Sequence, residues 1–151
     1  MNAYDTDIVE WSAHQAELLR RRAAGELVNE AEIDWPNVAE EIDQLGKSQT
    51  RELTSRIAAV MLHLMKLEAS PATGPRAGWR ETISGQRDAI ELLLADAPSL
   101  RARVPDIIAA GIGRARLRAQ EAIADHGEQP RIGLETVTYS AEQVLGDWFP
   151  G

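Results

Sequence analysis

The stretch from Asp34 to Glu68 constrains the fold more than any other part of the chain. Apolar residues recur at Val38, Ile42, Leu45, Leu53, Ile57, Val60, Leu64 and Leu67. The steps are mostly three and four, the helical period. Gln49 takes the one polar slot in the row. Asp34 can cap such a helix, and Pro36 suits a first turn, where an N–H would have no partner anyway. Ser70-Pro71-Ala72-Thr73-Gly74-Pro75 cannot continue it. The pattern predicts one long central helix from about Pro36 to Leu67. Asp43–Lys47 and Glu52–Arg56 are well-oriented i,i+4 pairs, contributing about 0.2–0.5 kcal/mol each. Gly46 costs about 1 kcal/mol relative to alanine in a helix interior. It permits a continuous helix or a break with a turn; continuity is the expectation.

From Ile57 to Leu67 only His63 and Lys66 interrupt an almost wholly apolar surface. A helix of that kind is buried at a domain centre, so other helices must pack around it. It falls short of the roughly 20 apolar residues that a bilayer span needs. The remaining pattern supplies the neighbours. A helix is expected from about Thr6 to Ala24, with Ile8, Trp11, Leu18 and Leu19 inward. Its acids lie at the start, Arg20-Arg21-Arg22 at the end and Gly25 at the close. An acidic linker, Glu26 to Ile33, follows. After the Pro/Gly loop comes a helix from about Ala77 to Ala95, with the stripe Trp79, Ile83, Gln86, Ile90 and Leu93. Another runs from about Pro105 to Asp125, and its Gly111 and Gly113 would admit a close neighbour. His126-Gly127 is a stop. Residues 128–151 read as an irregular tail, extended near Leu134 and Val137. Ser140-Ala141-Glu142-Gln143 is a capping box that opens a short terminal helix. The expected fold is all-α: a single domain over residues 1–151, a bundle of about five helices around the central one.

Composition narrows the function classes. The chain has no cysteine, which excludes disulfides, thiolate metal sites and a cysteine nucleophile. A net charge of −8 argues against nucleic acid, whose phosphates are held by Lys and Arg. The charge is local: residues 1–50 carry 11 acids against 4 bases. Asp5, Asp7 and Glu10 interrupt any apolar signal-peptide core. A cytoplasmic protein, with no membrane and no nucleic-acid partner, is expected.

Several segments, in order, carry a resemblance. They are Tyr4-Asp5-Thr6-Asp7 leading to Trp11, Asn37-Val38-Ala39-Glu40-Glu41-Ile42, and Leu62-His63-Leu64-Met65-Lys66. Trp79-Arg80-Glu81-Thr82-Ile83 with Gln86-Arg87, Ser99-Leu100 and Tyr139-Ser140 complete the set. Their order and spacing resemble the uncharacterised bacterial family called domain of unknown function 29, over nearly the whole chain. The resemblance implies a helical fold and brings no activity with it. One departure is the 71–78 loop, where Thr73-Gly74-Pro75 lacks the basic character of that position in the family.

Residues able to carry chemistry are few. His63 on the central helix and Gln86 on the 77–95 stripe would be costly to bury unpaired. They read either as an interhelical polar contact or as the lining of a pocket with Trp79 as a wall. Arg76, Arg80 and Arg87 share a side of the 77–95 helix. They suit either an anion or salt bridges to Glu40, Glu41 or Asp43. His14, Glu17, Glu41 and His63 are weak metal candidates, because no Glu-x-x-His or His-Glu-x-x-His spacing is present. On a continuous helix, Glu41 and His63 are about 33 Å apart along the axis. No catalytic constellation and no cofactor motif are found; Gly111-Ile112-Gly113 lacks the third glycine and the preceding strand of a nucleotide loop. Glu40, Glu41, Trp148 and Phe149 are candidate interaction residues. The expected role is that of a non-enzymatic helical interaction or accessory protein that binds another protein or itself. The alternative is a small-ligand or metal-binding bundle, with enzyme activity left open, whose site lies near His63 and Trp79.

Overall fold

The computed structural model describes residues 2–151. Among them it contains six α-helices, two 3₁₀ segments and no strand. Helix α1 is Ala3–Thr6, α2 is Ile8–Ala23, α3 is Trp35–Ala69, α4 is Arg76–Asp96, α5 is Val104–Asp125 and α6 is Ala141–Leu145. The 3₁₀ segments are Glu30–Glu32 and Pro98–Arg103. The all-α expectation and the long central helix both hold, and α3 runs through Gly46 without a break. Among the described residues no helix is long and apolar enough to cross a membrane.

The chain separates into two compact units, residues 1–48 and 49–151. The first contains α1, α2, the Glu30–Glu32 turn and the first fourteen residues of α3. Asp7 caps α2 through the Glu10 N–H at 2.9 Å, and Arg20, Arg21 and Arg22 fall in its last turn, as the helix dipole favours. Gly25 follows α2 with φ +81, a conformation that a residue bearing a Cβ rarely adopts. Among the described residues of this unit four are buried: Trp11, Gln15, Leu18 and Ile33. Ile33, which the sequence pattern placed in a linker, thus closes the small core.

The second unit is built on the apolar half of α3. Leu53, Ile57, Val60, Leu64, Met65 and Leu67 are fully buried, each burial contributing about 1.5–3 kcal/mol. Ile83 and Ile90 of α4 and Ile108, Ala119 and Ile123 of α5 belong to the same core. A Cβ at Gly111 would lie 3.4 Å from Met61 Cε, an ordinary contact, and one at Gly113 would meet nothing within 4 Å, so α5 does not need either glycine for its approach to a neighbour. Gly127, at φ +68, ends α5 in the same way that Gly25 ends α2. Residues 128–140 form no regular element, yet Leu134 and Tyr139 are buried in the core, as is Val144 of α6. The Ser140–Gln143 capping box opens α6 with both of its hydrogen bonds in place.

Candidate functional site

Polar fasteners hold the first unit. Gln15, 5 % exposed, donates from Nε2 to the Glu32 carbonyl at 3.0 Å and accepts the Asp34 N–H at 2.8 Å. The Asp34 carboxylate accepts from the Trp11 indole, the Asn2 amide and the Asn37 side chain. Bonds from Asn37 and Asn2 are the main reason its carboxyl lies below its ordinary value. The Tyr4 hydroxyl donates to Glu41 at 2.6 Å. That bond to a carboxylate is the chief cause of a phenol pushed up to about 12. Tyr4 also meets Trp11 edge-on, with centroids 4.9 Å apart.

These fasteners leave one face of α3 open. Trp35, Val38, Ile42 and Leu45 fall within about 80° of one another at 100° per residue. Val38 is half-buried, while Trp35, Ile42 and Leu45 are 50 %, 68 % and 65 % exposed. Glu41 borders this stripe; Glu40 lies further round and accepts from Gln44. His14 stands 3.8 Å from Glu32, with both side chains exposed, and Glu17 is exposed on α2. Among the described residues no three His, Asp or Glu groups converge as a metal-holding set.

In the second unit the predicted residues go to several different tasks. His63 is half-buried, and its Nδ1 bonds back to the Ala59 carbonyl of its own helix at 2.8 Å. Burial is the main cause of its lowered pKa. Gln86 does make an interhelical contact, accepting from Arg56 at 3.1 Å. Among the described residues the arginines Arg76, Arg80 and Arg87 of α4 neither surround an anion site nor form ion pairs; they hold carbonyls and an aromatic ring within their own unit. Arg76 donates to the Leu67 carbonyl at 2.7 Å. Arg87, 7 % exposed, donates to the carbonyls of Val144, Gln143 and Trp148 at 2.9, 2.7 and 2.7 Å. Arg80 and Arg87 stack on Phe149 at 4.8 and 4.9 Å from its centroid. Trp148 and Phe149 pack against the core of their own unit, and Trp148 lies 6.0 Å from the Tyr139 ring.

A cavity of about 350 Å³ opens beside Trp79, lined by Lys66, Ser70, Ala72, Pro75, Trp79, Ala122, Ile123, His126 and Glu128. Trp79 lines it, but His63, Gln86, Arg80 and Arg87, expected around a pocket there, are not part of the lining. The Lys66 ammonium lies 5.8 Å from the Trp79 centroid. Ser70 is buried; its hydroxyl lies 3.3 Å from a Glu128 oxygen and accepts the Ala72 N–H at 3.1 Å.

The model of one family, described as domain of unknown function DUF29, matches residues 3–149. The chain belongs to the DUF29 family. No curated protein and no solved structure matches it. The DUF29 match takes in both compact units, the open stripe and the cavity. It brings no assigned residues, so geometry alone marks the functional ones. Sequence reasoning about this DUF29 chain missed Gln15, Ser70 and Glu128, and missed the role of Arg87. Two of these had left a signal: Arg87 stands four residues after Ile83 and three before Ile90, and Gln15 four after Trp11 and three before Leu18, core-facing places for polar residues.

Proposed function

We propose that this DUF29 protein is a cytoplasmic, non-enzymatic interaction protein. Its acidic first unit receives a basic amphipathic helix of a partner protein along Trp35, Ile42 and Leu45. The exposure of those three large apolar side chains on one helix face carries the reading. Single exposed leucines are ordinary, but a stripe at helical spacing is a surface on which the apolar face of a partner helix can pack, as in coiled-coil pairing. Charge selects the occupant. Residues 1–50 carry 11 acids against 4 bases, so a Lys- and Arg-rich helix is attracted and a second copy is repelled.

Native mass spectrometry of the tagged protein from its own host tests this, alongside an Ile42→Ser/Leu45→Ser variant whose helicity matches the parent. The parent is expected to carry a stoichiometric protein that the variant loses, and its retention is expected to weaken as salt rises. A partner held equally by both forms, or a parent that runs alone, overturns the reading.

A further inference from the structure

The cavity beside Trp79 lies wholly in the second unit and owes nothing to the docking stripe. Its two charged groups are not neutralised by one another. Among the described residues Lys66 forms no ion pair and rests near the indole of Trp79. Among the same residues the Glu128 carboxylate has only the Ser70 hydroxyl as partner. The Ser70 oxygen is itself fixed by the Ala72 N–H, so it faces Glu128 as a donor. His126 also lines the cavity. Its Nδ1 contacts the Ala122 carbonyl at 2.7 Å; a carbonyl can only accept, so the neutral ring carries its hydrogen there and presents Nε2 as an acceptor. The lining thus offers one cationic donor and two acceptors, one of them anionic. The rest of the lining is largely apolar: Trp79, Pro75, Ile123 and two alanines. A simple anion would meet Glu128, and a simple cation would meet Lys66.

We propose that this cavity binds a free α-amino acid with an apolar or aromatic side chain. The carboxylate pairs with Lys66, the ammonium lies between Glu128 and His126 Nε2, and the side chain packs on Trp79 and Ile123. The cavity volume of about 350 Å³ is at the small end of ligand sites and suits a single amino acid better than a peptide.

Heteronuclear NMR of the full chain, titrated with L-phenylalanine, L-leucine and L-tryptophan, tests the proposal. Two analogues that lack one charge, 3-phenylpropanoate and 2-phenylethylamine, are titrated beside them. At least one amino acid is expected to shift the Trp79 indole and Ser70 amide signals saturably, with Kd below about 1 mM. Both analogues are expected to bind at least about tenfold more weakly than phenylalanine, because each leaves one charged group of the site unpaired. Lys66→Met should remove the preference for phenylalanine over phenylethylamine, and Glu128→Gln the preference over phenylpropanoate. No saturable shift with any amino acid overturns the proposal. So does an analogue that binds as well as phenylalanine, which would make the site one for a plain carboxylate or a plain amine. The comparison on the unaltered chain decides the matter even if a variant fails to fold.

Discussion

The two units are held by opposite chemistries. The first buries three apolar residues and one glutamine, and its segments are joined mainly by acceptors, the Gln15 amide oxygen, the Asp34 carboxylate and the Glu41 carboxylate, with Gln15 also donating to the Glu32 carbonyl. The second buries more than twenty residues, and its irregular segment is joined by arginine donors. Besides Arg76 and Arg87, Arg116 donates twice to the Val137 carbonyl at 2.9 and 2.7 Å, and Arg131 donates to the carbonyls of Leu67 and Glu68. The backbone explains the difference. Residues 128–140 have no helical ladder, so their carbonyls and those of the adjoining helix ends need donors from elsewhere. A guanidinium supplies five in a fixed fork. In the first unit the groups to be matched are the Asp34 and Asn37 N–H groups at the start of α3 and the side-chain donors of Asn2, Tyr4, Trp11 and Asn37, which require acceptors. The acidity of residues 1–48 and the arginines of the remainder are thus partly structural, and the charge left over on the first unit is what a partner would meet.

Removing the strongest fastener of the second unit should have the largest effect. Arg87→Met keeps the apolar stem and deletes the donors to three carbonyls. The expected loss is about 2–4 kcal/mol, since a buried acceptor left unmatched costs about 1–3 kcal/mol and water can reach part of this site. Urea denaturation measures it, and amide exchange should accelerate from Tyr139 to Phe149 while the Gln15 region is unchanged. Arg87→Lys should recover only a small part, because an ammonium cannot span three carbonyls. If exchange in the tail stays slow in Arg87→Met, then Leu134, Tyr139 and Val144 hold it by apolar packing alone, and the contrast between the units fails.

Apolar periodicity made the helices legible. The α3 stripe, the glycine stops at Gly25 and Gly127, and the Ser140 capping box are local signals, and each appears where the residues placed it. Which part of a stripe is covered was not legible. Ile42 and Ile57 look alike in sequence, yet Ile42 is 68 % exposed and Ile57 is fully buried, because covering depends on distant segments. The cavity was half legible. Trp79 is legible as a large aromatic on the α4 stripe, but Ser70 and Glu128 come together across 58 residues, a pairing that no periodicity encodes. The arginines of α4 were noticed for their charge, whereas the partners of Arg76 and Arg87 are carbonyls, which every residue carries and no sequence pattern marks.

The matching experiment in the first unit is Gln15→Ala. It removes two hydrogen bonds, to the Glu32 carbonyl and from the Asp34 N–H. Both backbone groups lie near the surface, so the expected loss is about 1–2 kcal/mol. The Trp11 indole N–H, bonded to Asp34 at 3.1 Å, reports it directly: its NMR signal should shift toward that of a solvated indole. Signals of Leu64 and Ile90 should not move. A change in the core of the second unit as large as that at Trp11 would mean that the two regions do not have separate supports.

Acid should separate the units by a smaller effect, in a definite order. Burial holds the His63 ring below its ordinary 6.5, with Lys66 acting the same way and the bond to Ala59 opposing. The folded state therefore binds its proton later than the unfolded chain does. The stability tied to His63 is complete above about pH 6.5 and declines as pH falls through the folded value. Asp34 behaves in the same sense but lower. Its carboxyl, held down by Asn37 and Asn2, lies below the ordinary 3.8, so its contribution is lost only as pH falls beneath that. Urea midpoints followed at the Trp79 and Trp11 indole signals should then diverge as pH falls below about 6.5. The Trp79 midpoint declines first, and His63→Gln removes most of that decline. If the Trp11 midpoint falls first, the acid-sensitive support lies in the first unit and His63 is not what titrates.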